Sequence, residues 1–99
     1  MNPHTNFDLK SMHYVYVLLS TKDKELYIGL TSDLRRRVKE HNSGKSFATA
    51  PRRPFTLLYY EAYLSRDDAA QREQALKRRG QARTHLLTRL KNALRQNQS

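Results

Sequence analysis

Two short β-rich segments near the start of the chain constrain its fold most strongly. The first, residues 14–19, consists only of Tyr, Val and Leu, and such an unbroken apolar run predicts a strand that is covered on both faces. The second, residues 26–30, follows a polar turn at residues 21–25. Two strands joined by a short polar turn pair as an antiparallel hairpin. The fold is therefore expected to begin with a hairpin, and the rest of the chain must cover it.

The residues after the hairpin predict one helix and a third strand. Ser32 is a suitable N-cap, and Asp33 falls in the first turn, where the helix dipole favours a carboxylate. We expect this helix to run from Asp33 to about His41. Residues 55–63 are rich in aromatic and aliphatic side chains, which indicates a third strand.

The C-terminal third of the chain predicts two further helices. Ser65 and Asp68 form the S-x-x-D pattern of a capping box, and the helix that they open is expected to end near Gly80. A last helix, from about residue 81 to 95, has leucines at helical spacing. The order β-β-α-β-α-α predicts an α+β fold, a small three-stranded and mainly antiparallel sheet flanked by helices.

Length sets the domain organisation. The 99 residues suffice for one domain. Residues 1–12 are largely polar and are expected to form a flexible N-terminal leader, and residues 13–96 are expected to form the domain.

Charge points to an anionic partner. The chain has 19 Lys and Arg against 9 Asp and Glu, a net charge of +10, which favours nucleic acid first and an acidic membrane surface second. No apolar run is long enough to span a bilayer, and no signal peptide is visible. The chain has no cysteine, which excludes a disulfide framework and a thiolate metal site. We therefore expect a cytoplasmic protein that does not reside in the membrane.

Glu73 is the most unusual carboxylate. It shares a predicted helix face with Ala69 and Leu76, and a charge on a core-facing stripe is costly unless it is paired or bound to a metal. Periodicity alone favours the simpler interpretation of a glutamate that is solvated or salt-bridged.

Arg37 and His41 lie four residues apart and project from one face of the predicted first helix. An arginine fork matches phosphate oxygens, and a histidine can donate to phosphate or accept from a hydroxyl. Taken alone, the pair is better explained as part of a solvated basic face, because further basic residues adjoin it.

Tyr16 and Tyr27 lie on neighbouring predicted strands. Gly29 follows Tyr27 on the same strand face, and a glycine there leaves room for a ligand or a backbone segment to approach. The alternative is ordinary strand aromatics, which are common.

Taken together, these residues resemble the signature of the GIY-YIG nucleases. The resemblance rests on Val15-Tyr16, on Tyr27-Ile28-Gly29 and on Arg37, and it spans about residues 14–77. Further matches are Thr31, Asp33, Leu34, His41, Asn42, Ser43, Gly44, Ala70, Glu73 and Lys77. Tyr14 replaces the first glycine of the signature. The likeness is greatest to small stand-alone bacterial members of the family.

The resemblance implies a metal-dependent endonuclease, a hydrolase of phosphodiester bonds. Its catalytic residues would be Tyr16, Tyr27, Arg37, His41 and Glu73, with Glu73 holding one Mg²⁺ or Mn²⁺ ion. Arg37 would bind the scissile phosphate, and His41 would orient a tyrosine or touch phosphate. The products would be a 5′-phosphate and a 3′-hydroxyl.

One tyrosine would activate the attacking water. Tyr27 is the first choice and Tyr16 would orient water or phosphate, although the two roles are interchangeable at this stage. A free phenol has a pKa of about 10, and nearby cations are expected to lower it.

Substrate binding is assigned to a wider set of residues that would hold nucleic acid without reading its sequence: Gly29, Thr31, Asn42, Lys45, Arg52, Arg53 and Lys77. The expected substrate is structured or damaged DNA in repair or recombination. The main alternative is a non-catalytic basic nucleic-acid-binding module, and a second is a structural protein of a ribonucleoprotein. The sequence leaves protein partners and oligomeric state open.

Overall fold

The structure, a computed structural model, describes residues 11–97. The expected leader at residues 1–12 lies outside this range except for its last two residues. The described chain contains three strands, four helices and one short 3₁₀ helix, and it confirms the predicted α+β class. The elements are β1 (His13–Ser20), β2 (Leu26–Thr31), α1 (Leu34–Ser43), the 3₁₀ helix (Ala50–Arg52), β3 (Phe55–Tyr63), α2 (Arg66–Lys77), α3 (Gln81–Arg89) and α4 (Lys91–Gln96). None of the helices described is both long and apolar enough to cross a bilayer.

Strand β1 is the centre of the sheet, whose order is β2-β1-β3 with both pairings antiparallel. The central position explains the unbroken apolar run in β1, because a central strand with helices on both sides has no solvated face. The pairing with β3 contains a β-bulge: Val17 pairs with Tyr59 and Leu18 with Leu57. Leu58 is therefore an extra residue in β3.

The two faces of the sheet are covered by different helices. On one face, which we call the α2 face, α2 and α3 pack against the sheet around an apolar cluster. Its buried members are Val15, Val17, Ile28, Ala69, Leu76, Leu86 and Leu90. On the opposite face, the α1 face, the cluster consists of Tyr16, Leu18 and Phe55, with Tyr27, Leu34 and Val38 packed against it.

Helix α1 begins one residue later than predicted. Asp33, and not Ser32, is its N-cap, because the Asp33 carboxylate accepts a hydrogen bond from the backbone N–H of Arg36 at 3.1 Å. The helix ends at Ser43, where Gly44 adopts a left-handed conformation (φ 86°) and donates its N–H to the carbonyl of Glu40.

The C-terminal helices confirm one prediction and correct two. Ser65 caps α2 and accepts from the N–H of Asp68. Helix α2 ends at Lys77, and Gly80 precedes α3 as its N-cap. The predicted single last helix is two helices, because the N–H of Leu90 is shared between the carbonyls of Leu86 and Leu87, which tightens the final turn of α3 and ends it.

Candidate active site

The ring of Tyr16 extends from β1 across the neighbouring strand. Tyr16 pairs directly with Gly29 of β2, and its side chain is only 1% exposed. A Cβ atom at position 29 would overlap the Tyr16 hydroxyl. The space that the sequence predicts at Gly29 is therefore used by the phenol of Tyr16.

His41 is the buried centre of the α1 face. It is fully buried, and its ring packs against Tyr16, Tyr27 and Phe55, with centroid distances of 5.7, 4.9 and 5.8 Å. Both ring nitrogens are hydrogen-bonded: Nε2 lies 2.8 Å from Oη of Tyr16 and Nδ1 lies 2.8 Å from Oγ1 of Thr49. Every polar atom of this imidazole therefore has a fixed partner.

Burial shifts the pKa of both hydrogen-bonded groups away from ionisation. Desolvation, together with the positive charge of Arg37, lowers the pKa of His41 to about 4. Desolvation also raises the pKa of Tyr16 to about 12, and it outweighs the hydrogen bond from Arg37. For Tyr16, this shift is opposite to the lowering that nearby cations were expected to cause. At neutral pH the pair is therefore a phenol and a neutral imidazole.

Arg37 lies beside the two phenols with its guanidinium held in place. It donates to the carboxylate of Glu40 at 3.0 Å and to the hydroxyl of Ser46 at 3.4 Å. Hydrogen bonding to Glu40 raises the pKa of Arg37. The side chain is 33% exposed, so the fork is anchored but still reachable from solvent.

Glu73 belongs to α2, yet its charge reaches the same cluster. The negative charge of Glu73 makes the smallest contribution to the raised pKa of Tyr16, after burial and the charge of Tyr27. Its side chain is 13% exposed and pairs with Lys77 at 3.1 Å. Within residues 11–97, no three or more His, Cys, Asp or Glu side chains are grouped so that they could hold a metal ion together.

Three of the five side chains assigned to catalysis from the sequence contact one another directly: Tyr16, Tyr27 and His41. Tyr16 and Tyr27 lie 6.2 Å apart between ring centroids, His41 contacts both, and the charges of Arg37 and Glu73 act on Tyr16. Residues that lie far apart along the chain therefore line one region of the domain.

Two of the residues assigned to substrate binding, Thr31 and Asn42, make hydrogen bonds within the protein. Thr31 accepts from the N–H of Asp33 at the entrance to α1. The amide of Asn42 accepts from the N–H of Phe55 at 2.7 Å and donates to its carbonyl at 3.1 Å, which fastens α1 to the start of β3.

The basic side chains of the loop after α1 differ in exposure and in how many of their donors are already hydrogen-bonded. The guanidinium of Arg52 pairs with Asp23 at 2.7 Å and lies over the ring of Phe55, so it fastens the hairpin turn to the sheet. Arg53 is exposed, although its Nε donates to the carbonyl of Ala50. Lys45 is also exposed. Lys45 and Arg53 can therefore still reach a phosphate, whereas Arg52 has its donors committed to the protein.

Ser46 and Glu40 are site residues that sequence reasoning does not identify, and it does not reveal the contact between Thr49 and His41. Ser46 and Thr49 are buried hydroxyl residues in the loop before β3, and they contact Arg37 and His41. The only sequence signal is that they follow the basic helix, since an irregular loop has no periodicity to read.

Comparison with known proteins places this cluster in a family. A family model described as the GIY-YIG catalytic domain matches residues 12–86. A UPF0213 protein of Bacillus pumilus is 44% identical over 69 residues, which is 69% of each chain. UPF0213 protein SH2523 of Staphylococcus haemolyticus is 41% identical over 66 residues, 66% of this chain and 79% of the relative.

A solved structure has the same fold. The solution NMR structure of UPF0213 protein BH0048 from Bacillus halodurans aligns with a TM-score of 0.51 and 36% identity, and the alignment covers 89% of this chain and 94% of that one. The match over residues 12–86 includes every side chain of the cluster. This chain therefore belongs to the GIY-YIG catalytic domain family and is similar to its UPF0213 proteins.

Proposed function

We propose that the protein is a metal-dependent endonuclease that hydrolyses phosphodiester bonds in nucleic acid, with structured or damaged DNA as its substrate. The observation that carries the proposal is the packing of two phenols, Tyr16 and Tyr27, around the buried His41, with the positive charge of Arg37 acting on both His41 and Tyr16. A phosphodiesterase needs groups of these kinds to bind phosphate, place water and hold a cation.

Arg37 would bind the scissile phosphate. Its guanidinium is fixed by Glu40 and Ser46 on one side and faces the phenols on the other. A donor that is already oriented stabilises growing negative charge without reorganising during the reaction. The fork geometry suits two phosphate oxygens at once.

Glu73 would hold the divalent cation. Mg²⁺ commonly takes one or two protein carboxylates and completes its shell with water and substrate phosphate, and the single, largely buried carboxylate of Glu73 fits that ligand set. When bound, Mg²⁺ or Mn²⁺ would supply positive charge against the phosphate and the leaving oxygen. Lys77 neutralises Glu73 in the free protein.

The two phenols would have different roles towards the attacking water. Within residues 11–97, the Tyr27 hydroxyl makes no hydrogen bond, and its side chain is only partly buried, so it is open to solvent. Tyr27 would activate the water. Tyr16 is tied to His41 and Arg37 and would orient the water or the phosphate.

The basic surface would hold the nucleic acid strand. Exposed basic side chains continue beyond the loop residues Lys45 and Arg53 into the C-terminal third of the domain, at Arg78, Arg79, Arg89, Lys91 and Arg95. Such contacts neutralise phosphates without reading bases. This supports binding to nucleic acid without sequence preference, as a role in DNA repair or recombination would require.

The decisive test is cleavage of labelled nicked, flapped, branched and single-stranded DNA in the presence of Mg²⁺ or Mn²⁺. Arg37→Ala and Glu73→Ala should each reduce cleavage by at least about 100-fold, while thermal unfolding shows an intact fold. Arg36→Ala is the matched control, because Arg36 lies on the same helix and pairs with the same Glu40 but is 73% exposed. Cleavage that survives in Glu73→Ala refutes the metal ligand, and binding without turnover by the unaltered protein would identify a non-catalytic module.

A further inference from the structure

A buried hydroxyl lies behind the histidine of the proposed site. Thr49 belongs to the loop between α1 and β3 and is 2% exposed. Its Oγ1 lies 2.8 Å from Nδ1 of His41 and 3.3 Å from the carbonyl oxygen of Ser46. We propose that Thr49 is a positioning residue that holds His41 in the Nδ1–H tautomer and thereby fixes the direction of the Tyr16 hydroxyl. This inference rests on the proposed nuclease function for its consequence, although not for its geometry.

Donors and acceptors along the chain of contacts select this tautomer. A threonine hydroxyl has one proton, and here that proton goes to the Ser46 carbonyl. The Thr49 oxygen then accepts from Nδ1–H, and the lone pair of Nε2 faces Tyr16. Tyr16 accordingly donates its O–H to Nε2. In the opposite tautomer, Nε2–H would donate to Tyr16, and the Tyr16 O–H would have no acceptor among residues 11–97.

The tautomer decides what Tyr16 presents to the substrate. With its proton committed to His41, the Tyr16 oxygen offers only lone pairs to any further partner. Lone pairs can accept a hydrogen bond from an attacking water and leave the water oxygen turned towards phosphorus. If the tautomer flipped, Tyr16 would turn its proton outward and compete for the same water as a donor.

The loop that carries Thr49 is built to hold it still. The N–H groups of Thr49 and Ala50 both donate to the Ser46 carbonyl, at 3.1 and 2.9 Å, and a 3₁₀ helix follows directly. The Ser46 hydroxyl accepts from Arg37. One short turn therefore holds both the guanidinium and the imidazole, a supporting arrangement on which a preorganised site depends.

The tautomer itself is measured by NMR, without any need for activity. In protein labelled with ¹⁵N-histidine, long-range ¹H–¹⁵N correlations distinguish Nδ1–H from Nε2–H, and the His41 signals are the set missing from a His41→Asn variant. We expect Nδ1–H in the unaltered protein and in Thr49→Ser, which keeps the hydroxyl. Thr49→Val, which has nearly the same shape but no hydroxyl, should shift His41 towards Nε2–H. An Nε2–H tautomer in the unaltered protein, or no shift in a folded Thr49→Val, overturns the proposal.

Cleavage assays test the consequence. Thr49→Val should lower kcat by about 10- to 100-fold with little change in KM, and Thr49→Ser should restore most of the rate. A Thr49→Val protein that changes tautomer but cleaves at the normal rate contradicts the positioning role. If the unaltered protein cleaves no nucleic acid at all, the proposed function fails, while the NMR result still decides the tautomer.

Discussion

The two faces of the sheet use the same strand for different purposes. Val15 and Val17 of β1 point to the α2 face, whose buried cluster is entirely apolar. Tyr16 points to the α1 face, where the buried set includes His41 and Thr49. Because side chains alternate along a strand, β1 contributes valines to an entirely apolar cluster on one face and Tyr16 to a hydrogen-bonded set on the other.

The apolar cluster of the α2 face and the hydrogen-bonded set of the α1 face contribute differently to the protein: the first mainly to its stability, the second mainly to the placement of polar side chains. Apolar burial stabilises in proportion to area and tolerates modest rearrangement. A buried polar network is tolerated only when its groups are satisfied, and within the described residues no buried side-chain nitrogen or oxygen lacks a partner. We therefore expect substitutions in the apolar cluster of the α2 face to change mainly the free energy of unfolding, and substitutions in the hydrogen-bonded set of the α1 face to change the chemistry as well as the stability.

The largest effect on stability is expected from Leu86→Ala on the α2 face. Leu86 is 3% exposed, and removing a buried leucine costs about 2–5 kcal/mol in the free energy of unfolding. Urea denaturation measures the loss, and Leu64→Ala is the control because Leu64 is 74% exposed. Cleavage per folded molecule should be unchanged. A variant that keeps its stability would show that the α2 face is not the main source of it.

Acid should destabilise the α1 face through His41. The folded pKa of about 4 lies below the ordinary value of about 6.5, so the unfolded chain binds more protons between these values. Stability is therefore lost as the pH falls from about 6.5 to 4, by up to roughly 3 kcal/mol. The measurement is the slope of unfolding free energy against pH, compared with His41→Gln. Equal slopes in both proteins would mean that His41 is not held neutral by the fold.

Gly29→Ala should disturb the α1 face from the neighbouring strand. The added methyl group overlaps the Tyr16 hydroxyl, so the ring must move away from His41, at a cost of about 1–3 kcal/mol and at least about a 10-fold loss of cleavage. Gly80→Ala is the matched control, because a Cβ there meets nothing within 4 Å. If both variants behave alike in denaturation and cleavage assays, the close contact between Tyr16 and Gly29 contributes neither to stability nor to cleavage.

The smallest effect is expected at the start of α1, outside both clusters. Asp33→Ala removes the N-cap hydrogen bond to Arg36 and should lower stability by about 1 kcal/mol. Ser32→Ala should change it by less than about 0.5 kcal/mol. Thermal unfolding of the two variants distinguishes these positions, and the reverse order would restore Ser32 as the cap.

Local sequence signals account for most of the fold. Strand composition, the polar turn and the capping pattern at Ser65 are local properties, and they correctly predict the hairpin, β3 and the start of α2. The choice between Ser32 and Asp33 is harder because both residue types cap helices well and they are adjacent. The break at Leu90 is hidden because the leucine spacing continues across it.

The site was less accessible to sequence reasoning than the fold. The family signature identifies the side chains that converge on His41, but it does not reveal which loop residues hold them. Thr49 is eight residues from His41, and Tyr16 is 25 residues from it, so their contacts depend on the tertiary fold. Nor does sequence distinguish Arg53, which is exposed, from Arg52, whose guanidinium pairs with Asp23.

The bulge at Leu58 changes which face of the sheet the side chains of β3 point to. The Phe55 side chain packs in the cluster of the α1 face, and the Glu61 side chain pairs with Arg72 of α2 on the other face. Glu61 lies six positions after Phe55 in the sequence. In a regular strand, side chains an even number of positions apart point to the same face. Because Leu58 has no partner in β1, Phe55 and Glu61 pair with Ser20 and Val15, which are five positions apart and face opposite sides. One strand therefore contacts helices on both sides of the sheet. A regular strand that kept Leu58 but lacked the bulge would turn one of these two side chains away from its helix.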